Sequence, residues 1–303
     1  MKAAVCSKYG PPEVVAVLEK AIPVPGDNEI LIKVHATTVA SGDCRVRALA
    51  APFPLQYIMR IIFGWKRPKE GILGTELSGE IETVGKCVAT FTKGDEVFAM
   101  TGMKLGAHAE YVCLPANGII APKPKNCTFE ESAALAFGGT TALHYLRKAK
   151  IDKESRVLIY GASGAVGTAA VQIAKYFGAK VTGVCSRANV DLVRTLGADL
   201  VIDYAKEDVT ARAEKFDIIF DAVGKTSKKQ CQCILAQNGK YVSVLVGIAK
   251  ERVEDLLFLK QLVEDGKLIA VIDRTYPLDC IVEAHRYVDT GRKKGNVVVI
   301  MPL

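Results

Sequence analysis

A short apolar run that breaks into spaced glycines constrains the fold of this chain more than any other feature. Residues 156–167 read Arg-Val-Leu-Ile-Tyr-Gly-Ala-Ser-Gly-Ala-Val-Gly, and residues 168–177 follow with helical periodicity. A strand that enters a helix through such a turn is typical of a dinucleotide-binding unit, because the glycines permit a tight turn and the close approach of a pyrophosphate. The N–H groups at the helix N-terminus would face the phosphates. A surface turn that needs glycine only for its conformation is the alternative interpretation.

The regions before and after this segment differ in their periodicity. Residues 1–115 contain several short apolar stretches separated by proline and glycine, which predicts a small β-barrel. A helical pattern over 130–146 opens a region of alternating helices and strands, with strands predicted at 181–185, 200–203, 216–221 and 240–246. That alternation favours an α/β fold with a doubly wound parallel sheet. The C-terminal part predicts a strand at 269–273, a helix at 278–290 and a final strand at 296–301.

The length and composition are those of an ordinary globular chain of two domains, with 303 residues of which 50% are hydrophobic. No uncharged apolar stretch reaches the length of about 18 residues that spans a membrane, and the first residues lack the apolar segment of a signal peptide, so we expect a cytoplasmic location. The nine cysteines are scattered without the paired spacing of disulfides or of a zinc knuckle. The net charge of +7 is spread over separate small groups without interleaved aromatic residues, which favours small anionic ligands over nucleic acid.

Several short motifs, taken in this order, resemble the medium-chain dehydrogenase/reductase superfamily. They are Gly94-Asp95-Glu96-Val97, Gly138-Gly139-Thr140-Thr141-Ala142, the glycine-rich turn, Leu196-Gly197-Ala198-Asp199 with Ile202-Asp203-Tyr204, and Asp221-Ala222-Val223-Gly224. The resemblance implies a GroES-like β-barrel catalytic domain over residues 1–118, completed by 268–303, and a Rossmann cofactor-binding domain over 119–267. It also implies an active site in the cleft between the domains and a homodimer in which residues 240–246 extend the sheet.

Zinc-dependent members of this superfamily hold their catalytic metal with cysteine and histidine. The corresponding segments carry Ala40 in place of the cysteine and Thr75 in place of the histidine. The four cysteines of a structural zinc lobe after Asp95 are also missing, so no metal is expected. The chain therefore resembles the zinc-independent quinone oxidoreductase branch, whose members reduce quinones or α,β-unsaturated carbonyls with NADPH. Reduction of enoyl thioesters or aldehydes, and non-catalytic NADPH binding as in lens crystallins, are the alternatives.

Cofactor specificity is expected to depend on the residues that follow the second strand of the Rossmann domain. NAD enzymes usually place Asp or Glu there to bind the ribose, whereas this chain has Ser186 and Arg187. A hydroxyl beside a guanidinium can bind the 2′-phosphate of NADPH, with Tyr204 assisting; a solvated loop cation is the alternative for Arg187. By resemblance, the cofactor would also contact Thr141, Ala162, Ser163, Gly164, Ala165, Val166, Val223, Gly224, Val244, Val246 and Asn296.

The substrate side offers three candidate residues. The segment 41–47 matches the pattern Asn-Pro-x-Asp-x-x-x-Arg of the quinone oxidoreductase branch only at Asp43 and Arg47. Asp43 could order the loop or support a polar contact, and Arg47 could attract a substrate oxygen; an internal ion pair is the alternative for both. Tyr57 is the candidate proton donor.

Tyr57 lies in an apolar and basic segment, residues 48–70, that is longer than the corresponding loop expected in compact quinone reductases. A helical conformation aligns Leu55, Ile58, Met59 and Ile62 along one stripe. Three interpretations are open: an apolar lid that selects a bulky acceptor, a helix that covers the barrel, and a basic amphipathic patch that touches the lipid quinones of a membrane. The covering helix is slightly favoured and membrane contact is not.

Overall fold

The change of periodicity along the sequence corresponds to two structural units. A computed structural model of the protein describes residues 1–51, 53, 55–69 and 71–302, apart from the side chain of Leu55. The first unit comprises Met1–Ala136 together with the chain from Ile272 onward, and the second is Phe137–Val271. The first unit extends beyond the boundary expected at residue 118, because strand Ile119–Pro122 pairs with strand Glu96–Met100. No helix among the described residues is long and apolar enough to cross a lipid bilayer.

The secondary structure follows the predicted order of elements. The strands are β1 (Lys2–Cys6), β2 (Val15–Glu19), β3 (Glu29–Thr38), β4 (Glu76–Val84), β5 (Glu96–Met100), β6 (Tyr111–Pro115), β7 (Ile119–Pro122), β8 (Arg156–Tyr160), β9 (Lys180–Cys185), β10 (Leu200–Asp203), β11 (Phe216–Asp221), β12 (Leu235–Ser243), β13 (Ile272–Pro277) and β14 (Asn296–Ile300). The helices are α1 (Ser41–Ala48), α2 (Leu55–Phe63), α3 (Phe129–Lys148), α4 (Ala165–Tyr176), α5 (Val190–Thr195), α6 (Val253–Glu264) and α7 (Ile281–Asp289).

The first unit is the predicted β-rich domain. Its main sheet has the order β13-β14-β3-β4-β5-β7, with β6 paired to β3, and β1 and β2 form a separate antiparallel pair. Alternate residues of β3 and β4 are buried in its core, as expected for strands with one face inward. Helix α7 adds Ile281, Ala284 and Val288, whose spacing places them on one helical face. The C-terminal strands therefore complete the barrel that the N-terminal strands begin.

The second unit is the predicted parallel sheet, with the order β10-β9-β8-β11-β12. This is the arrangement of the first five strands in a Rossmann sheet, which ordinarily has six. Strands β10 and β11 have the predicted limits, whereas β12 begins before residue 240 and ends at Ser243. The difference arises because Phe216 pairs with Leu235 while Ile218 pairs with Lys240, so the intervening residues bulge out of register. Within the described chain, β12 is an edge strand.

Candidate functional site

The glycine-rich turn after β8 is closed by the neighbouring strand. The backbone N–H groups of Gly161 and Ala162 both donate to the carbonyl oxygen of Val184, at 2.9 and 3.0 Å. Gly161 has φ +79°, a conformation that favours glycine. A Cβ atom there would lie 2.4 Å from a methyl group of Val223, so the loop after β11 covers this turn. The N–H of Ala162 therefore has its acceptor inside the protein, and Gly161 and Ala162 form the tight turn that was predicted for them.

The other two glycines of the motif have different roles. A Cβ atom on Gly167 would lie 2.1 Å from the carbonyl oxygen of Gly161, so only glycine lets α4 pack this closely against the turn. A Cβ atom on Gly164 would meet only that same oxygen, at 3.7 Å. The protein itself therefore leaves space beside Gly164. Space of this kind, next to the start of a helix, fits a pyrophosphate that approaches the backbone.

The N-terminus of α4 supplies donors for such an anion. The helix begins at Ala165, and no side chain of the described residues caps it. The first N–H groups of an α-helix have no acceptor within the helix, so those of Ala165 and Val166 point out of the helix end. Together with the partial positive charge of the helix dipole, they form a site for negative charge.

A polar corner follows β9. Asn189 is buried, and its Nδ2 donates to the Oγ of Ser163 at 2.9 Å, which ties the glycine-rich turn to this corner. Ser186 precedes a short 3-10 helix that contains the exposed Arg187. In the described part of the chain, Arg187 forms no ion pair with a carboxylate, so its guanidinium is available to an anionic ligand. The Oδ1 atom of Asn189 is buried without a hydrogen-bond partner.

A cavity of about 540 Å³ opens at the ends of the central strands. Tyr160 at the end of β8, Val184 on β9 and Tyr204 just after β10 line it, together with Lys225 and Thr226 after β11. Ligands of doubly wound sheets bind outside the carboxyl ends of the strands. Tyr204 is half-exposed at the mouth of this cavity, where it can contact a ligand.

Asp221 organises the loop that follows β11, a role that the sequence motif alone did not identify. It is fully buried, and its carboxylate accepts hydrogen bonds from the backbone N–H groups of Val223, Gly224, Lys225 and Thr226 at 2.8–3.2 Å. The hydroxyl group of Tyr241 also donates to it, at 3.2 Å. One carboxylate therefore fixes the backbone of the whole loop. The signal for this role was its position: an acidic residue at the end of a buried parallel strand, followed by a loop with glycine.

The turn after β12 lies beside this loop. A Cβ atom on Gly224 would come within 2.5 Å of the Leu245 side chain. The prediction that Val244 to Val246 belong to a strand is wrong, because β12 ends at Ser243 and these residues form a turn. Val246 is exposed, and its N–H donates to the carbonyl oxygen of Ser243. The structure therefore brings Val244 and Val246 close to Gly224, but on a turn.

Thr141 and Asn296 were expected to approach the cofactor from α3 and from the C-terminal strand. Thr141 is buried on α3, one turn beyond Gly138. A Cβ atom on Gly138 would lie 2.8 Å from the carbonyl oxygen of Ala165, so this part of α3 runs next to the start of α4. Asn296 is buried at the start of β14, and its Nδ2 donates to the carbonyl oxygen of Ala134 at 2.9 Å. Its amide thus fastens β14 to α3.

Asp43 and Arg47 are both buried inside the first unit. Asp43 accepts hydrogen bonds from the N–H groups of Ala40 at 2.8 Å and Gly74 at 3.0 Å, and burial raises the pKa of its carboxyl. Arg47, with 2% of its side chain exposed, pairs with Asp289 at 2.6 Å. The alternative considered for Arg47, an internal ion pair, is thus what the structure shows, with Asp289 as the partner, whereas Asp43 binds backbone N–H groups instead. Asp43 orders the start of α1, while Arg47 joins α1 to the end of α7, and neither side chain is accessible to a substrate oxygen.

Tyr57, the third candidate on the substrate side, lies on α2 and is half-exposed. Its ring makes an edge contact with Phe53, with ring centroids 5.7 Å apart, and a tilted contact with Trp65 at 6.3 Å. The structure thus places Tyr57 in an aromatic cluster on the surface of the first unit. No contact in the described chain aligns its hydroxyl group for proton transfer.

Comparisons with known proteins agree with this architecture. Residues 26–125 match the family described as alcohol dehydrogenase GroES-like domain, and residues 165–276 match the family described as zinc-binding dehydrogenase. A 2-methylene-furan-3-one reductase of Solanum lycopersicum is 33% identical, over 99% of this chain and 79% of the relative. The chain belongs to the medium-chain dehydrogenase/reductase superfamily. An NADPH-dependent alkenal/one oxidoreductase of Arabidopsis thaliana, a chloroplastic protein, is 30% identical with the same coverage.

A solved structure places this superfamily member in the quinone oxidoreductase branch. The quinone oxidoreductase from Coxiella burnetii superposes with a TM-score of 0.89 at 29% sequence identity, covering 100% of this chain and 99% of the other. The expected fold, a GroES-like barrel with a Rossmann sheet, is therefore confirmed. The alignment with the tomato reductase runs over 326 residues, longer than the 303 residues of this chain. The relative thus contains residues that have no counterpart here.

Some dehydrogenases of this superfamily bind zinc, but the side chains of this member do not fit that ion. Ala40 and Thr75 occupy the two positions where the metal ligands would be, and in the described residues no group of three or more His, Cys, Asp or Glu could hold a metal. Cys44 and His285 are in contact, with 3.4 Å between Sγ and Nδ1. Burial raises the pKa of the Cys44 thiol far above its usual range, which disfavours the thiolate that zinc requires.

Proposed function

We propose that the protein is an NADPH-dependent oxidoreductase that transfers hydride to quinones or α,β-unsaturated carbonyls without a metal ion. The observation that carries this proposal is the uncapped N-terminus of α4 behind Gly164, where the protein leaves space for a pyrophosphate. NADPH, when bound, supplies the hydride. The tomato and Arabidopsis relatives, whose names specify a furanone reductase and an alkenal/one oxidoreductase, support the same class of acceptor.

Different residues of the second unit would bind different parts of the cofactor. The N–H groups of Ala165 and Val166 would bind the pyrophosphate. Ser186 and Arg187 would bind the 2′-phosphate by charge-assisted hydrogen bonds, with Tyr204 against the adenosine. Asp221 is a positioning residue, because it holds the loop of Val223 and Gly224 rigidly next to the glycine-rich turn. The side chains of Thr141, Val244 and Val246 would complete the nicotinamide side.

A conjugated acceptor suits a site without a Lewis acid. Hydride addition to the β-carbon moves negative charge onto the carbonyl oxygen, where hydrogen bonds suffice to stabilise it. Oxidation of a simple alcohol gains much more from a metal that polarises its oxygen. The absence of zinc ligands at Ala40 and Thr75 therefore supports quinones and enones over alcohols. Water can protonate the resulting enolate.

The cofactor preference can be tested with the Arg187→Gln variant. Titration of the protein with NADPH and NADH, followed by nicotinamide fluorescence, should show NADPH affinity reduced about 10- to 150-fold and NADH affinity unchanged, since one charged hydrogen bond contributes about 1.5–3 kcal/mol. Arg194→Gln, an exposed arginine paired with Asp191 on α5, is the matched control. An equal loss for both cofactors, or none, would contradict the assignment of Arg187 to the 2′-phosphate.

The reaction itself is tested by NADPH oxidation with a panel of quinones, enones, enoyl thioesters, aldehydes and alcohols, before and after dialysis against a chelator. We expect turnover with quinones or enones that the chelator leaves unchanged. Turnover confined to thioesters or aldehydes would select the alternative substrate class. Zinc present in stoichiometric amount and lost together with turnover would refute the metal-free mechanism.

One observation favours a second candidate, a non-catalytic NADPH-binding protein. A dinucleotide fold consists of two mononucleotide-binding halves, and in the described chain the half that contains β11 and β12 lacks a third strand. That half would bind the nicotinamide. Tight NADPH binding without turnover across the whole panel would identify this function.

We infer a cytoplasmic location and a homodimer as well. The described cysteines form no disulfide, as is usual in a reducing compartment. The open edge of β12 offers backbone groups to a second copy, and exposed edges of this kind readily pair. Light scattering coupled to size-exclusion chromatography should give twice the 32.6 kDa mass of the chain; a monomer at micromolar concentration would exclude this interface.

A further inference from the structure

Helix α2 and the residues on either side of it carry a cluster of exposed apolar side chains that the proposed function does not use. Its members lie within 13 positions of the sequence and include three aromatic residues: Phe53, Tyr57, Ile58, Ile61, Ile62 and Trp65. Ile61 is 69% exposed and Trp65 is 59% exposed. Single apolar residues on a surface need no explanation, but a contiguous group of this size marks a site of interaction. We call this group the α2 ridge.

The ridge is held on the first unit by the opposite side of the same helix. Met59 and Phe63 pack against the barrel core. The hydroxyl group of Tyr9 donates to the carbonyl oxygen of Gly64 at 2.7 Å. Within the segment, the N–H of Lys69 donates to the carbonyl oxygen of Phe63 at 2.7 Å. The favoured interpretation of this segment, a helix that covers the barrel, therefore accounts for its inner side only. The outer side is presented to the surroundings by a helix whose C-terminal end is held on the first unit.

The charge of the segment indicates what the ridge contacts. Residues 53–69 contain four basic residues, Arg60, Lys66, Arg67 and Lys69, and no acidic residue. The guanidinium of Arg60 lies 5.6 Å from the centre of the Tyr9 ring and 5.9 Å from that of Trp65, so a cation is positioned at the edge of the apolar side chains. An apolar face bordered by lysine and arginine complements a surface that is apolar inside and negatively charged outside.

A lipid bilayer has both of these properties. Tryptophan and tyrosine are enriched at the level of lipid headgroups, where their rings remain partly hydrated. Lysine and arginine extend their charged ends to phosphates while their stems cover apolar surface. An acidic protein surface would complement the charges, but it offers no counterpart to six adjoining apolar side chains. We propose that the α2 ridge docks the protein on the surface of a bilayer that contains anionic lipid. Helix α2 has nine residues and lies in the plane of the interface.

The composition of the chain allows a direct test, because Trp65 is its only tryptophan. Tryptophan emission therefore reports on the ridge alone. The protein is mixed with vesicles of phosphatidylcholine, or of phosphatidylcholine with about 30% phosphatidylserine, which gives an anionic surface. We expect a blue shift with the anionic vesicles, quenching by lipids brominated in the upper acyl chain, and reversal at high salt. No blue shift, or equal binding to both kinds of vesicle, would overturn the proposal.

Two variants separate the apolar and the charged contributions. Ile61→Glu should reduce the partition coefficient between water and vesicles at least about 10-fold, because it places a carboxylate among the apolar side chains that enter the bilayer. The double variant Lys66→Gln/Arg67→Gln should reduce it about 30-fold, since each cation near an anionic surface contributes about 1 kcal/mol. Both side chains of the double variant and Ile61 are exposed, so the fold should be retained, and thermal unfolding checks this.

The matched controls lie on the second unit. Ile248→Glu changes an isoleucine that is 80% exposed, and Lys228→Gln/Lys229→Gln removes an exposed basic pair; both should bind vesicles like the wild type. Equal losses in the controls would show that net charge alone attracts the protein, which would overturn the ridge as the docking site. A Trp65 response to polyglutamate with none to vesicles would assign the ridge to an acidic protein instead. A blue shift that rises with protein concentration in the absence of lipid would assign it to a second copy of the chain.

Discussion

Replacement of Gly164 by alanine should separate cofactor binding from stability. Gly164 has φ −81° and ψ 175°, a conformation that alanine adopts without strain. The added Cβ atom would meet only the carbonyl oxygen of Gly161, at 3.7 Å, an ordinary contact distance. The protein therefore has room for this methyl group. The methyl group would instead occupy the space in front of α4, where the pyrophosphate approaches the backbone.

The expected effects of Gly164→Ala on stability and on NADPH affinity have opposite signs. A glycine replaced by alanine in a compatible conformation stabilises a protein by about 0.4–1 kcal/mol, because the unfolded chain loses conformational freedom. A hydrogen bond from a backbone N–H to a charged phosphate contributes about 1.5–3 kcal/mol. Loss of one such bond from α4 raises the Kd for NADPH about 10- to 150-fold. Gly164→Ala should therefore be slightly more stable than the wild type and bind NADPH much more weakly.

Two glycine variants complete the experiment, which combines urea unfolding with NADPH fluorescence titration. Gly42→Ala in α1 is the control, because a Cβ atom there meets nothing within 4 Å and the residue lies in the other unit. It should keep wild-type affinity. Gly167→Ala should lose both stability and binding, because its Cβ would lie 2.1 Å from a carbonyl oxygen. If Gly164→Ala bound NADPH as tightly as Gly42→Ala does, the pyrophosphate would not lie at the start of α4.

Three further predictions concern buried polar groups. Asp221→Asn should lower the free energy of unfolding by about 2–4 kcal/mol and weaken NADPH binding, since an amide cannot accept all the N–H groups of its loop. Urea unfolding checks this. Ser243→Ala, which removes a 3.5 Å bond to Asp221 and the 3.3 Å acceptor of the Leu245 N–H, should cost only about 1 kcal/mol. Arg47→Met should cost about 2 kcal/mol, less than for a fully buried pair because Asp289 is 36% exposed, and kcat/KM should not change; lost turnover at full stability would contradict its structural role. Burial lowers the pKa of His285 from 6.5 to about 2. Between these two pH values the unfolded chain binds a proton that the folded chain does not. The contribution of this group to the free energy of unfolding is therefore complete above pH 6.5 and falls as the pH decreases. Below that pH, the wild type should lose up to about 1.4 kcal/mol per pH unit relative to His285→Gln in urea titrations, whereas parallel curves would show that the ring is protonated in the folded state.

The parts of the fold that could be predicted from the sequence are those that depend on neighbouring residues. Strands β10 and β11 have the predicted limits, since each is a buried parallel strand with an uninterrupted apolar pattern. The glycine-rich turn was also identified, because the spacing of three glycines reflects contacts within one turn. The limits of β12 were not, because its N-terminal part depends on a pairing with Phe216 that skips several residues.

The roles of individual polar residues depend on partners far away in the sequence. Arg47 and Asp289 are 242 residues apart, and no local pattern indicates that they form an ion pair. The backbone donors of Asp43 include Gly74, on a different loop. Contacts within the fold can therefore account for a charged residue in a family motif. Asp221 shows the opposite case, because its partners lie within a few residues and form a motif that can be recognised in the sequence. Its role in fixing the loop was identified only from the structure.

Helix α2 shows why an amphipathic pattern does not identify the medium that covers it. The stripe predicted for this helix contains Ile58, Met59 and Ile62, and a period of 3.6 places them on one side whether a protein or a lipid lies there. In the structure the stripe is divided: Met59 packs against the barrel core, while Ile58 and Ile62 remain exposed. The apolar arc of α2 is thus wider than the area that the barrel can cover. The excess is useful only if a second apolar phase contacts it, and the four neighbouring cations indicate that this phase has an anionic surface.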